Sequence, residues 1–283
     1  MSFGRKLADG DGGHYRELIS EAKNRYHRPA AACKLDRLVL ARKTPTMPQS
    51  IFVLTGAGIS AESGLGTFRD KRGEGIWAKF DPMKLATPEA FARDPETVLA
   101  FYDLRRRNLL NAEPNAAHRA LARLGQAMTE RGGRLTLVTQ NIDDLHERAG
   151  SARVIHMHGE LLKARCDGCV AVRPWLGDLS VSDVCPDCGR AGALRPHVVW
   201  FGEMPMRMGE IDRALRKADL FVAIGTSGAV YPAAGFVADA RACGLRTCEI
   251  NLDAANNAGL FDEQRLGPAS VTVPAWVDEV LDG

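Results

Sequence analysis

Beyond residue 50 the chain is punctuated by short apolar runs: 51–54 (IFVL), 135–139 (LTLVT), 154–155 (VI), 220–224 (LFVAI) and 247–250 (TCEI). They are rich in β-branched and aromatic residues and mostly lack polar alternation, so they read as strands buried on both faces, as in a parallel sheet. Residues 271–273 (VTV) read as a sixth strand, ahead of a terminal helix started by Pro274. Between the runs the period becomes helical. Thr87-Pro88-Glu89 and Asp94-Pro95-Glu96 each place a capping side chain, then proline, then an acid in the first turn. The second of these helices should run to about Leu110. Asn115 caps another, in which Ala117, Leu121, Leu124 and Met128 form the apolar stripe and Gly132-Gly133 the stop. Helices over 208–218 and 232–243 supply the crossovers that a parallel sheet requires.

Each run ends in small or polar residues: Gly56-Ala57-Gly58, Gln140-Asn141-Ile142-Asp143, His156-Met157-His158-Gly159, Gly225-Thr226-Ser227 and Asn251-Leu252-Asp253. In a doubly wound parallel α/β sheet, a Rossmann-like fold, these clusters line one edge, and ligands bind in the crevice outside the carboxyl ends of the strands. Residues 56–61 read G-x-G-x-x-A directly after a strand. Such a turn brings backbone N–H groups close to a pyrophosphate, although a plain buried turn has the same pattern. One feature departs from the usual fingerprint. No acid ends a second strand about twenty residues later, and a helical insertion over about 66–113 is the simplest explanation.

The 283 residues allow one large α/β domain with a small satellite. A formal net charge of +2 gives no strong attraction to nucleic acid or membrane, but residues 1–50 carry +5 and the remainder −3. Residues 1–48 read as a flexible basic arm, with Gly10, Gly12 and Gly13 near its start and a short helix over 15–26, and 49–283 as the folded domain. Asp9 and Asp11 fit a targeting presequence badly, and Met47 offers an alternative start just before the first core strand. No apolar run is long enough to span a bilayer. Seven cysteines are an odd number, and four fall in two close pairs, Cys166-x-x-Cys169 and Cys185-x-x-Cys188, fifteen residues apart. That is the spacing of a two-knuckle zinc site, within a module of about 160–198. Gly168 and Gly189 allow the tight knuckles. Four thiolates leave no open position, so one structural zinc is expected. Cys33 reads as a tail residue, Cys243 and Cys248 as packing residues, and the whole usage as that of a reducing, cytoplasmic compartment.

The candidate chemistry sits at the strand ends. His158 precedes Gly159 where a base can reach a cofactor ribose, and Gln140, Asn141 and Asp143 offer groups suited to a carboxamide and ribose hydroxyls. By residue type alone, a structural histidine at a strand end is the better reading of His158, and a dehydrogenase would bind NAD at such an edge too. The motifs GAGIS, TFRD, TQNID, HGEL, the two cysteine pairs, VVWFGE, GTS and NLD follow one another in order, in a pattern that covers residues 51 to about 281. In this the chain resembles the sirtuins, NAD-dependent protein-lysine deacylases, and within them the bacterial and mitochondrial-type branch.

The resemblance implies a mechanism. The acyl-lysine carbonyl oxygen attacks C1′ of the nicotinamide ribose of NAD, nicotinamide leaves, and His158 acts as general base on a ribose hydroxyl. Water then releases free lysine and O-acyl-ADP-ribose. It also implies roles. The loop Gly56, Ala57, Gly58, Ile59, Ser60 and Ala61 would lie against NAD, with Thr67, Phe68 over the ribose, Arg69 ordering the loop, and Trp77. Gln140, Asn141, Ile142 and Asp143 would hold the nicotinamide end; Gly225, Thr226, Ser227, Asn251, Leu252, Asp253 and Ala269 would hold the adenosine half. Residues 199–203, with Val199, Phe201 and Gly202, would pair with substrate peptide as an edge strand. Tyr102 and Arg105 lie three apart on one helix face. Arg106 and Arg107 beside them also suit a solvated face. In the branch that removes acidic acyl groups, Tyr-x-x-Arg binds the distal carboxylate and a small residue, here Ala86, widens the pocket. The resemblance therefore implies removal of succinyl and malonyl as well as acetyl groups, from protein substrates, by a monomer without nucleic-acid or membrane partners. A mono-ADP-ribosyltransferase using the same pocket is the alternative.

Overall fold

The computed structural model describes residues 48–67 and 81–282. The expected arm, apart from Pro48, and the Phe68, Arg69 and Trp77 positions lie outside them. From the start, β1 (Ser50–Thr55) leads through two short 3-10 turns to the helices α1 (Pro82–Leu85), α2 (Pro88–Arg93), α3 (Pro95–Asn111) and α4 (Ala116–Glu130). Then come β2 (Arg134–Thr139), α5 (Leu145–Arg148), β3 (Val154–His156), β4 (Gly159–Cys166), β5 (Val172–Pro174) and β6 (Leu194–Val198). The chain closes with α6 (Met208–Lys217), β7 (Leu220–Ile224), α7 (Phe236–Ala242), β8 (Arg246–Asn251), β9 (Glu263–Leu266) and α8 (Ala269–Asp282).

Six strands pair in parallel in the order β3-β2-β1-β7-β8-β9. The order reverses between β1 and β7, which makes the gap beyond their carboxyl ends the switch point of a doubly wound sheet. Alternate β1 residues serve two cores. Ile51 and Val53 pack under α4 and α8 with Leu121, Leu124 and Trp276, while Phe52 and Leu54 pack under α6 and α7 with Phe221, Ile211 and Phe236. The caps are as expected: Thr87, Asp94 and Asn115 accept from the first-turn amides of α2, α3 and α4.

β4, β5 and β6 form a separate antiparallel sheet in the order β5-β4-β6, spanning 159–198. Its own core is thin, made by Leu99, Ala164, Cys166, Leu179, Cys185 and Leu194.

Three expectations need correction. Residues 271–273 are not a strand: they lie in α8, which starts at Ala269 and carries Pro274 inside it. Val273, Trp276 and Val277 fall at helical spacing on the sheet core, and that packing outweighs the β preference of the triplet. The sixth strand is β9, a polar edge strand bonded only to β8. Residues 199–203 are not an edge strand either. β6 ends at Val198, and the Glu203 amide donates back to the Trp200 carbonyl at 3.0 Å to close a turn. Finally, Cys243 is disulfide-bonded as well as buried in the core, whereas Cys248 is a free packing residue. Among the described residues no helix is long and apolar enough to cross a membrane.

Candidate active site

The loops after β1 and β7 meet at the switch point. The Gly56 amide donates to Ile224 O and the Gly58 amide to Gly225 O, both at 2.9 Å. A Cβ on Gly58 would stand 2.7 Å from the Gly225 Cα, and one on Gly225, whose φ is +62°, would stand 2.4 Å from the Ile59 nitrogen. Both positions therefore demand glycine, and the result is two loops closed main chain against main chain at the switch point, with no side chain between them. Beside it the Asn251 amide donates to Thr226 O at 2.8 Å and the Leu252 amide to Asn251 Oδ1 at 3.0 Å. Ser227 follows Thr226 in the same loop, Leu252 and Asp253 are exposed, and Ala269 opens α8 next to Ser270, whose hydroxyl donates to Glu62 at 2.6 Å.

The segment after β2 folds into a buried polar knot. The Asn141 amide donates to Ser60 Oγ at 3.0 Å, and Ser60 Oγ–H donates to Asp143 Oδ2 at 3.0 Å. Burial raises the Asp143 pKa, against the hydrogen bonds from Leu145 N and Ser60 that favour its charge. Behind the knot stand two fully buried histidines, His118 near Ser60 and His146 at 3.0 Å from Thr55 Oγ1, both held neutral by burial. A pocket opens in front, lined by Ala57, Ser60, Asn141, Ile142, Asp143 and Arg105. Thr67 is the last described residue leading away from it.

His158 follows β3, with Nδ1 2.9 Å from the Gln140 carbonyl. A carbonyl only accepts, so Nδ1 carries the hydrogen and Nε2 keeps its lone pair. Burial pulls the imidazole down to about 4, against the Gln140 bond. The side chain is therefore neutral and basic at Nε2. His156, the neighbouring candidate, is spent elsewhere: its Nε2 lies 2.7 Å from Glu147 Oε1. Burial opposes its charge, but Glu147 outweighs that and raises its pKa.

The turn after β6 closes the other side. The Val199 amide donates to His158 O at 2.9 Å and the Phe201 amide to Ala86 O at 2.9 Å. Gly202 takes a φ of +89°, as the turn requires. Tyr102, Ala86, Val198 and Trp200 are buried in one cluster, with Phe201 and Ile142 packed against it. The Trp200 indole N–H donates to the Tyr102 hydroxyl at 2.9 Å. The Arg105 guanidinium lies 5.8 Å from the Tyr102 ring centroid. The structure thus places Arg105 in the wall of the pocket that Asn141 and Asp143 line, with Tyr102 packed behind it and Ala86 in the same buried cluster as Tyr102.

Arg106 corrects an expectation. It is not on a solvated face but fully buried. It donates to Asp103, to Leu161 O at 3.2 Å and to Gly177 O at 3.1 Å, while Asp103 accepts from Leu179 N at 3.1 Å. The spacing of Asp103 and Arg106 was the available signal. Asn108, Leu109 and Leu161 also line the pocket; nothing in the sequence distinguishes them from ordinary helix and strand residues.

The Sγ atoms of Cys166, Cys169, Cys185 and Cys188 all lie within 4.8 Å of one another, with pairs at 3.7 and 3.8 Å. Four thiolates around zinc at about 2.3 Å stand roughly 3.8 Å apart. The donors therefore fit one tetrahedral ion with no open position. The Gly168 amide donates to Cys166 Sγ at 3.3 Å, as a knuckle should.

A family model described as the Sir2 family matches residues 56–232. An NAD-dependent protein deacylase of Caulobacter vibrioides is 61% identical over 231 residues, 82% of this chain and 96% of the relative. One of Escherichia coli K12 is 55% identical over 235 residues, 82% of each chain. Among solved structures, a Sir2 homologue in complex with ADP-ribose superposes with a TM-score of 0.76 at 40% identity, over 83% of this chain and 93% of that one. A Sir2 homologue–NAD complex gives 0.73 at 39% identity, over 83% and 90%. Sir2 bound to an acetylated peptide gives 0.68 at 28% identity, over 82% and 93%.

Proposed function

The chain belongs to the Sir2 family and is an NAD-dependent protein deacylase, and from this premise we propose that it removes succinyl and malonyl groups from lysine side chains alongside acetyl. The observation that carries the acyl preference is the cation of Arg105 in the wall of the nicotinamide-side pocket, 5.8 Å from the Tyr102 ring, with Ala86 in the same buried cluster as Tyr102. A terminal carboxylate would meet a planar guanidinium and a phenol donor there. An acetyl group, ending in a methyl, would meet neither.

In this reading His158 is the catalytic base. Its Nδ1–H is committed to the Gln140 carbonyl, so Nε2 is aimed with its lone pair free to take a proton from a sugar hydroxyl. NAD supplies that sugar and its leaving nicotinamide. Asn141 and Asp143, fixed by Ser60, hold the nicotinamide end. Gly56, Gly58 and Gly225 hold the loops after β1 and β7 together with no side chain between them, which leaves room for the phosphates beside those loops, and Thr226, Ser227 and Asn251 take the adenosine half. Phe201 and Gly202 flank the acyl-lysine, and the zinc keeps their supporting sheet folded.

The test is mass spectrometry of acetyl-, malonyl- and succinyl-lysyl peptides incubated with and without NAD. NAD-dependent loss of all three groups is expected. Loss of acetyl alone removes the acyl preference. Transfer of label from NAD to protein in place of deacylation removes the deacylase reading in favour of ADP-ribosyl transfer.

A further inference from the structure

We propose that Trp200 is a positioning residue for acyl selectivity: its indole N–H fills the acceptor side of the Tyr102 hydroxyl and so reserves that hydroxyl's own hydrogen for the carboxylate of an acidic acyl chain. The inference rests on the acyl preference proposed above.

An indole nitrogen can only donate. The 2.9 Å contact therefore has one polarity: Trp200 gives the hydrogen and Tyr102 Oη accepts it. The phenol still has one hydrogen of its own. Among the described residues no acceptor stands against it, although Tyr102 is 3% exposed and Trp200 2%. A buried donor left unmet is costly, and a ligand acceptor would recover that cost. Burial also pushes the Tyr102 pKa up to about 12, so the hydroxyl keeps its hydrogen at any working pH. A carboxylate can only accept, and its charge strengthens the bond.

Trp200 has little freedom to turn away. The Arg195 guanidinium stacks 3.4 Å from its ring centroid, and Phe91 packs at 5.2 Å. Its backbone amide donates to Glu203 Oε2 at 2.9 Å. Glu203 is in turn gripped by two 2.8 Å bonds from Arg195 and one of 3.2 Å from Arg165. These partners stand on β4 and β6, so the direction of one hydroxyl is set by the small sheet.

Trp200→Phe keeps an aromatic ring and deletes only the N–H. Steady-state kinetics on succinyl- and acetyl-lysyl versions of one peptide should show the ratio of succinyl to acetyl KM rising roughly 3–10-fold, the loss of one hydrogen bond, with kcat for succinyl little moved. Tyr102→Phe should show a similar or larger rise, and the double variant no more than Tyr102→Phe alone. Additive losses in the double variant, or equal KM increases on both peptides in Trp200→Phe, overturn the inference. An unmoved ratio in Trp200→Phe while Arg105→Met still discriminates overturns it alone. If Arg105→Met and Tyr102→Phe both fail to discriminate, the acyl preference falls and this inference falls with it.

Discussion

Every residue of β7 is buried, and β1 is buried from Ile51 to its end, whereas all of β5 is exposed. The six-stranded sheet is covered on both faces by helices, and two apolar cores hold it. The three-stranded sheet has one thin core and leaves Val170, Val172, Leu176 and Val184 in solvent. A unit of that size buries too little apolar surface to fold by itself. Four thiolates brought together by two knuckles make up the difference. The lesson is that the large sheet is carried by hydrophobic burial alone, whereas the small sheet needs a metal crosslink besides its thin core. The two can therefore be broken separately.

The largest effect should come from stripping zinc with a strong chelator. Zinc binding in small modules is worth about 10–16 kcal/mol, so the small sheet should unfold and turnover should stop. The large sheet should keep its fold and still bind ADP-ribose, as calorimetry would report. Turnover surviving zinc loss would erase the distinction between the sheets. His158→Tyr should lower kcat by about 10²–10⁴-fold with the melting temperature unmoved, because His158 hangs from a loop carbonyl rather than from either core. An unchanged rate would remove it from the chemistry.

Arg106→Met attacks the joint between the two units. It leaves Asp103 buried without its cation and should cost about 3–5 kcal/mol in urea unfolding. A loss below 1 kcal/mol would mean the joint is solvated. The smallest effect is that of pH. Burial holds His118 and His158 down to about 4, while the unfolded chain protonates near 6.5. Unfolding therefore takes up protons between those values, and stability present above 6.5 is lost as pH falls toward 4. Each should contribute about 1 kcal/mol of loss by pH 5.5, with His146 in the same direction. His156, raised by Glu147, opposes it. Urea midpoints at pH 7 and 5.5 measure the balance, and His118→Gln should flatten it.

The parallel sheet was legible because its central strands are buried on both faces and write unbroken apolar runs. The helix starts at Thr87, Asp94 and Asn115 were legible because capping is local chemistry. β9 was not, since an edge strand bonded on one side tolerates a sequence as polar as Glu263-Gln264-Arg265-Leu266. α8 was misread for the opposite reason: Val271, Thr272 and Val273 favour strands, and only tertiary packing of Val273 and Trp276 decides otherwise. At the site, the cysteines announce themselves by spacing, whereas the glycines, Asn141, Asp143 and His158 became legible only through the ordered run of motifs. Arg106 did not, because a run of three arginines looks solvated until Asp103 and the carbonyls of Leu161 and Gly177 are seen around one of them.

The contact between Gly58 and Gly225 leaves no space for even a methyl group between two main chains. A mutational scan should accordingly find both codons frozen, whichever acyl group is used for selection. On the proposed reading, adaptation to a new acyl chain has to be written elsewhere, on the face of α3 and the turn at Trp200, where side chains rather than main chain would meet the substrate. Directed evolution could thus re-tune what is removed from lysine without disturbing how the dinucleotide is gripped.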